Sequence, residues 1–187
     1  MQLVDCEIKD SIDSGLLHIT PFTLEQINPN TYDVRLGDEF IFYDEYGKTP
    51  FIDPYDADSI EHGCMRYIGP FFIIKPQQFV LARTIEHIKI PDCMCAVISG
   101  KSSVARLGVS IHQTGGFIDS GFEGTITLEL LNSNCRPVKL YEGMRIAQIA
   151  FYPCNSPCKP YNVRNGSKYM NQIHAEISRY YRNEKPQ

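Results

Sequence analysis

The sequence predicts a mainly β protein, a barrel or sandwich with a few short helices. Three observations point there. Apolar residues alternate with period two through the middle of the chain, β-branched residues crowd those stretches, and short glycine- or proline-bearing turns separate them. A length of 187 residues suits a single domain over 1–187 with a full core.

The elements follow in chain order. Val4–Ser14 reads as a helix, with Asp5 as candidate N-cap and Gly15 as its stop. Strands are expected at Tyr32–Leu36 and Glu39–Tyr43, parted by Gly37-Asp38, and at Phe71–Ile74 and Phe79–Thr84, parted by Lys75-Pro76. Further strands are expected at Cys95–Ser99, Thr125–Leu131, Val138–Leu140 and Ile146–Tyr152. Ser102–Leu107 predicts one or two helical turns, and Asn171–Tyr181 a helix near the C-terminus. The segment 44–70, rich in Asp, Tyr and Gly, predicts no particular element, and the final RNEKPQ is polar and expected to fray.

Charge and apolar patterning exclude some classes. The formal net charge of -4 and pI of about 5.7 argue against a surface built to grip nucleic acid. No apolar run approaches the roughly 20 residues of a membrane span. MQLVDCEIKD lacks the basic start and apolar stretch of a signal peptide, so a cytoplasmic location is the expectation. Of the seven cysteines, Cys93 and Cys95 form a CxC pair, and Cys154 and Cys158 stand four apart. Neither pair has a His at zinc-finger spacing, so reduced thiols and no zinc are expected.

The segment 99–129, SGKSSVARLGVSIHQTGGFIDSGFEGTITLE, carries the candidate chemistry. CAVIS ends at Gly100, and Lys101, Ser102, Ser103, Val104, Ala105 and Arg106 follow. A strand running into a short helix presents free N–H groups that attract anions, and Lys101 and Arg106 add full charges. The same pattern also describes a serine-capped surface helix with solvated cations. Residues 115–124 contain four glycines, which let a ligand approach the main chain. Asp119 within them could bind a sugar hydroxyl or take a proton from water; a turn Asp bonding its own backbone is the other reading. In the next strand, alternation puts Ile126, Leu128 and Leu130 on one face and Thr125, Thr127, Glu129 and Leu131 on the other. That second face meets either water or a polar pocket.

Taken together, GKSSVARLG, HQTGGFIDSGFEG, ITLELLNS and YEGMRIAQIAF resemble the successive motifs of the dCTP deaminase family, within the dCTP deaminase and dUTPase superfamily. NPNTYDVRLGDEF is similar to the family's early strand signature, and PYNVRNGSKYMNQ to its C-terminal tail. The resemblance implies a dUTPase-type fold, a distorted β-barrel or jelly-roll-like core, with residues 155–187 as a tail that covers the nucleotide. It implies a homotrimer with active sites between subunits, and dCTP, dUTP or dTTP as ligands. Glu129 would be the catalytic base and acid. Lys101 through Arg106 would serve the phosphates and support catalysis, and Asp119 would hold the deoxyribose 3′-hydroxyl. The main chain at Thr127 and Leu128 would meet the base. Tyr161, Lys168 and Gln172 would close over the ligand, and Thr114 and Gly115 would hold the attacking water. Mg²⁺ would arrive on the triphosphate oxygens.

The resemblance has departures. Thr114-Gly115-Gly116 stands where the family has T-A-H or T-A-G. The second glycine is similar to bifunctional members that carry dCTP through to dUMP and pyrophosphate, supplying thymidylate synthesis. Lys101 stands where Arg is common, giving a point charge instead of a fork. Two alternatives are a dUTPase-like hydrolase centred on Asp119, and a trimeric nucleotide-binding regulator without turnover. The glycine-rich tail of stand-alone dUTPases and the H-x-E…P-C-x-x-C signature of zinc deaminases are not found in this sequence.

Overall fold

A computed structural model describes residues 1–43 and 51–186; positions 44–50 of the featureless 44–70 segment lie outside the described residues. Helix α1 spans Asp5–Asp13 and buries Ile8 completely. Asp5 lies in its first turn and does not cap it. Val4 takes the cap position, and its N–H donates to the Glu7 carboxylate at 2.9 Å. Gly15 follows the helix at φ +71°, the left-handed stop that glycine permits.

Eleven strands follow the alternation, in two sheets. They are β1 (His18–Thr20), β2 (Tyr32–Tyr43), β3 (Cys64–Ile68), β4 (Phe71–Ile74), β5 (Phe79–Lys89) and β6 (Met94–Gly100), then β7 (Val109–Ser110), β8 (Phe117–Ile118), β9 (Glu123–Asn132), β10 (Val138–Tyr141) and β11 (Arg145–Pro153). The main sheet runs β7-β9-β5-β2-β11-β6-β8, with β1 on β5 and β3 on β2; β4 and β10 form the second sheet. The main sheet curls into a half-barrel, so the mainly β, barrel-like expectation holds. Short helices α2 (Ala57–Glu61) and α3 (Ser102–Ala105) complete the regular elements, with 3₁₀ turns at Leu24–Gln26 and Tyr180–Arg182.

Two expected strands, Tyr32–Leu36 and Glu39–Tyr43, are one. The pairing of β2 with β5 shifts between Leu36 and Phe40, so the Gly37-Asp38 break is an irregularity inside a continuous strand. Glycine eases the close approach there, since a Cβ on Gly37 would sit 3.1 Å from both the side chain and the carbonyl of Arg83. Strand β5 also runs beyond Thr84, through Glu86. That carboxylate is fully buried and accepts from the Arg35 N–H and Nε, both at 2.7 Å, and from Gln26 Nε2 at 3.0 Å. Partners on three sides let a charge sit in the core.

The inner face holds Tyr32, Phe40, Phe151, Leu36, Ile88 and Leu130, each at most 1% exposed. Each contributes roughly 1.5–3 kcal/mol of burial. The chain beyond β11 is mostly irregular, and the helix expected at Asn171–Tyr181 is absent. Among the described residues no helix is long and apolar enough to cross a membrane, and all seven cysteines are free thiols.

Candidate functional site

Glu129 stands on β9 where burial alternates residue by residue. Leu128 and Leu130 turn inward, while Thr127 and Glu129 remain half-buried on the other face. That face does not meet open water. It forms a wall of a cavity of about 410 Å³ whose other wall comes from the C-terminal tail, a size suited to a small ligand. Ile98, Ile118, Phe122 and Ile126 give the cavity an apolar floor. Its carboxylates are Asp119, Glu129 and Glu176, and among the described residues no Lys or Arg lines it.

The Glu129 carboxylate has one oxygen held and one open. Oε2 accepts from the Gln113 N–H at 2.8 Å, and the Gln113 side-chain amide donates to the Glu129 carbonyl at 3.2 Å. Oε1 faces Gly115, where an added Cβ would stand 3.4 Å away. Gly115 thus leaves room for a small molecule beside a carboxylate already fixed in place. Thr114 is exposed and does not line the cavity. His112 stands behind Gly116, with its Nδ1 buried and unpartnered among the described residues.

The main chain of β9 adds an open polar edge. The N–H groups of Thr125 and Glu129 point away from β5, to Gln172 O at 2.8 Å and Ile111 O at 2.9 Å. Strand alternation turns the N–H and C=O of Thr127, midway between them, to that same edge, facing the cavity. Leu128 is 1% exposed, with its side chain in the core and its main chain opposite Ala82 of β5.

The tail closes the cavity with Tyr161, Tyr169, Gln172, Glu176, Ile177 and Ser178. The Tyr161 ring lies 6.0 Å from Phe122, and its hydroxyl accepts from the N–H groups of Lys168 and Tyr169 at 3.2 and 3.1 Å. Gln172 is buried and donates to the Thr125 carbonyl at 2.5 Å. Its Oε1 is buried and has no partner among the described residues. The Lys168 ammonium points elsewhere, to Asn183 Oδ1 at 2.7 Å. Tyr43 also lines the cavity; burial pushes its hydroxyl far above the ordinary tyrosine range, and the neighbouring Cys64 thiol adds to this. Asp119 borders a second recess of about 320 Å³ as well, with Cys95, Ser120, Cys154, Lys159 and Arg164.

The expected phosphate segment lies outside this cavity in a single chain. Val104 is buried in the core, and Ser102, Ser103, Ala105 and Arg106 are exposed. Lys101 is neither solvated nor free, since its ammonium contacts both oxygens of the buried Asp33 at 2.6 and 2.7 Å. Strand β6, which leads into α3, is four positions from β9 in the sheet order. Sequence patterning also missed Gln113, Tyr43, Tyr169 and Glu176. The Gln113 N–H acts from the main chain, which has no sequence signature, and Tyr43, Tyr169 and Glu176 reach the cavity only through long-range packing that local pattern does not record.

Comparison with known proteins identifies the family. A family model described as dCTP deaminase-like matches residues 2–154. The dCTP deaminase, dUMP-forming, of Methanospirillum hungatei is 47% identical over 188 residues, covering 99% of each chain. Its namesake in Dictyoglomus thermophilum is 44% identical over 186 residues, covering 96% of this chain and 94% of that one. Among solved structures, the 2′-deoxycytidine 5′-triphosphate deaminase of Agrobacterium tumefaciens superposes with a TM-score of 0.60 at 20% identity. The alignment covers 80% of this chain and 47% of that one, and it supports the fold.

Proposed function

The chain belongs to the dCTP deaminase-like family, and on that premise we propose that it deaminates dCTP and carries the product on to dUMP. The observation that carries this reading is the half-fixed Glu129 carboxylate over a cavity that offers an apolar floor and an open strand edge. A pyrimidine fits that floor. Its polar edge meets the main chain of Thr127, beside the Gln172 side chain that also lines the cavity. Recognition by buried hydrogen-bonding groups discriminates strongly, because a wrong base leaves a partner unmade.

In the deamination step, Glu129 takes a proton from water at Gly115 and the oxygen attacks C4 of cytosine. The carboxyl then returns the proton toward the departing amine, so dCTP and water give dUTP and ammonia. Holding Oε2 on the Gln113 N–H aims the carboxylate before substrate arrives. Asp119, in the same cavity, holds the deoxyribose 3′-hydroxyl. A second water then splits dUTP into dUMP and pyrophosphate. Mg²⁺ would be held through the phosphate oxygens and would neutralise their charge.

Electrostatics favours a shared site. A triphosphate cannot rest against three carboxylates without cations, and among the described residues the cavity lining supplies none. The exposed Ser102, Ser103 and Arg106 of a neighbouring copy would supply the missing donors in a homotrimer. The dUTPase-like reading is favoured by Asp119 in the same cavity.

The test is a product assay with dCTP and Mg²⁺. Equal ammonia and pyrophosphate are expected. Ammonia alone would limit the enzyme to dUTP, hydrolysis of dUTP without dCTP turnover would install the dUTPase-like reading, and binding of dCTP with no product would leave a regulator.

A further inference from the structure

We propose that Glu39 is a positioning residue that seats the C-terminal tail over the nucleotide cavity, an inference that rests on the reading of that cavity as the dCTP site. Glu39 lies on β2, and its side chain is only 3% exposed. Its carboxylate gathers donors from three parts of the chain. Arg66 of β3 contacts Oε1, and Arg83 of β5 places Nε 3.4 Å from Oε2. The tail supplies the remaining two, the Ala175 N–H at 3.0 Å and the His174 Nδ1 at 3.2 Å, both to Oε2.

The location matters more than the charge count. Ala175 is fully buried against Ile41 and Leu81, with Ile177 packed beside it. On either side of this anchor the tail meets β9. Gln172 O accepts from the Thr125 N–H at 2.8 Å, and the Glu176 N–H donates to Thr127 Oγ1 at 3.2 Å. Gln172, Glu176, Ile177 and Ser178 then line the cavity facing Glu129. Between the two β9 contacts, Glu39 provides the one charged acceptor for a tail amide. A hydrogen bond to a buried carboxylate is stronger than one to a neutral group. Glu39 does not line the cavity, so it acts through the tail and not on the base.

The experiment uses the full-length enzyme in a double-mutant cycle of Glu39→Ala and Ala175→Pro. The proline removes the tail N–H without altering the buried charge cluster, so it tests the anchor even where Glu39→Ala fails to fold. Each single variant is expected to raise the dCTP KM about tenfold, with kcat changed less than about threefold, and to speed tryptic cleavage after Arg179 at least about tenfold. The double variant is expected to match the worse single variant, because both break one contact. Unchanged KM and cleavage in Ala175→Pro, or additive effects in the double variant, would overturn the proposal. If the wild-type protein turns over no dCTP, the functional reading fails, and the cleavage rates still decide the anchor.

Discussion

The β9 wall of the cavity and the tail wall facing it are held by different means. Strand β9 pairs with β5 along nearly its whole length and turns Leu128 and Leu130 into the core. The tail has no regular element between Pro153 and Tyr180, and hangs on a few polar anchors at Gln172, Ala175 and Glu176. In the proposed reading the reacting carboxylate sits on the wall tied into the sheet, and the groups that would admit and release a ligand sit on the wall held by fewer contacts. Changes to β9 should therefore strike kcat, and changes to the tail should strike KM.

Among the described residues neither wall supplies a cation for the phosphates. Chains carrying Glu129→Gln and chains carrying Arg106→Ala should each be inactive alone. Co-expressed in equal amounts, they should regain about a quarter of the wild-type rate, since random assembly leaves that share of sites with both residues intact. No recovery would place each site within one chain. On the tail wall, Gln172→Ala should raise the dCTP KM roughly tenfold by removing a buried acceptor, with kcat nearly kept; a steady-state assay in which kcat alone falls would erase the distinction between the walls.

Between the walls lies the turn that presents Asp119. Gly121 adopts φ +81°, and a Cβ there would meet Asn162 Oδ1 at 2.8 Å. Gly121→Ala should cost about 1–2 kcal/mol of stability from the left-handed backbone alone, read from chemical denaturation. Tyr43 gives the smallest effect. Burial above all pushes the pKa of its hydroxyl above the ordinary tyrosine value of 10.0. It therefore stays neutral through the working range, and Tyr43→Phe should leave the pH–rate profile unchanged from about pH 6 to 9. The raised value also means that any stability it contributes is lost only as pH climbs above 10.0, the ordinary value. A shifted profile at neutral pH would give Tyr43 a proton-transfer role.

The same contrast explains what the sequence disclosed. The β9 face carrying Thr127 and Glu129 was readable because period-two alternation survives wherever one side of a strand meets the core. Strand β5 read short because Glu86 looks like a polar stop until its partners Arg35 and Gln26 are seen. The tail misled more. Residues 171–181 have helical spacing, yet Asn171 adopts φ +55°, and the amides of Ala175 and Glu176 are taken by Glu39 and Thr127. Distant acceptors outcompeted the helix's own carbonyls, and local pattern records nothing of them. The family motifs marked Lys101 for phosphate, whereas its pairing with Asp33 depends on two strands meeting in space.

The proposed activity turns on the Glu129 carboxylate acting on the cytosine ring. Ammonia release from dCTP by Glu129→Gln, measured beside its dCTP affinity, tests this most directly. The prediction is affinity within a few-fold of wild type with deamination lowered by roughly 10²–10⁴. Ammonia formed at the wild-type rate by that variant would contradict it.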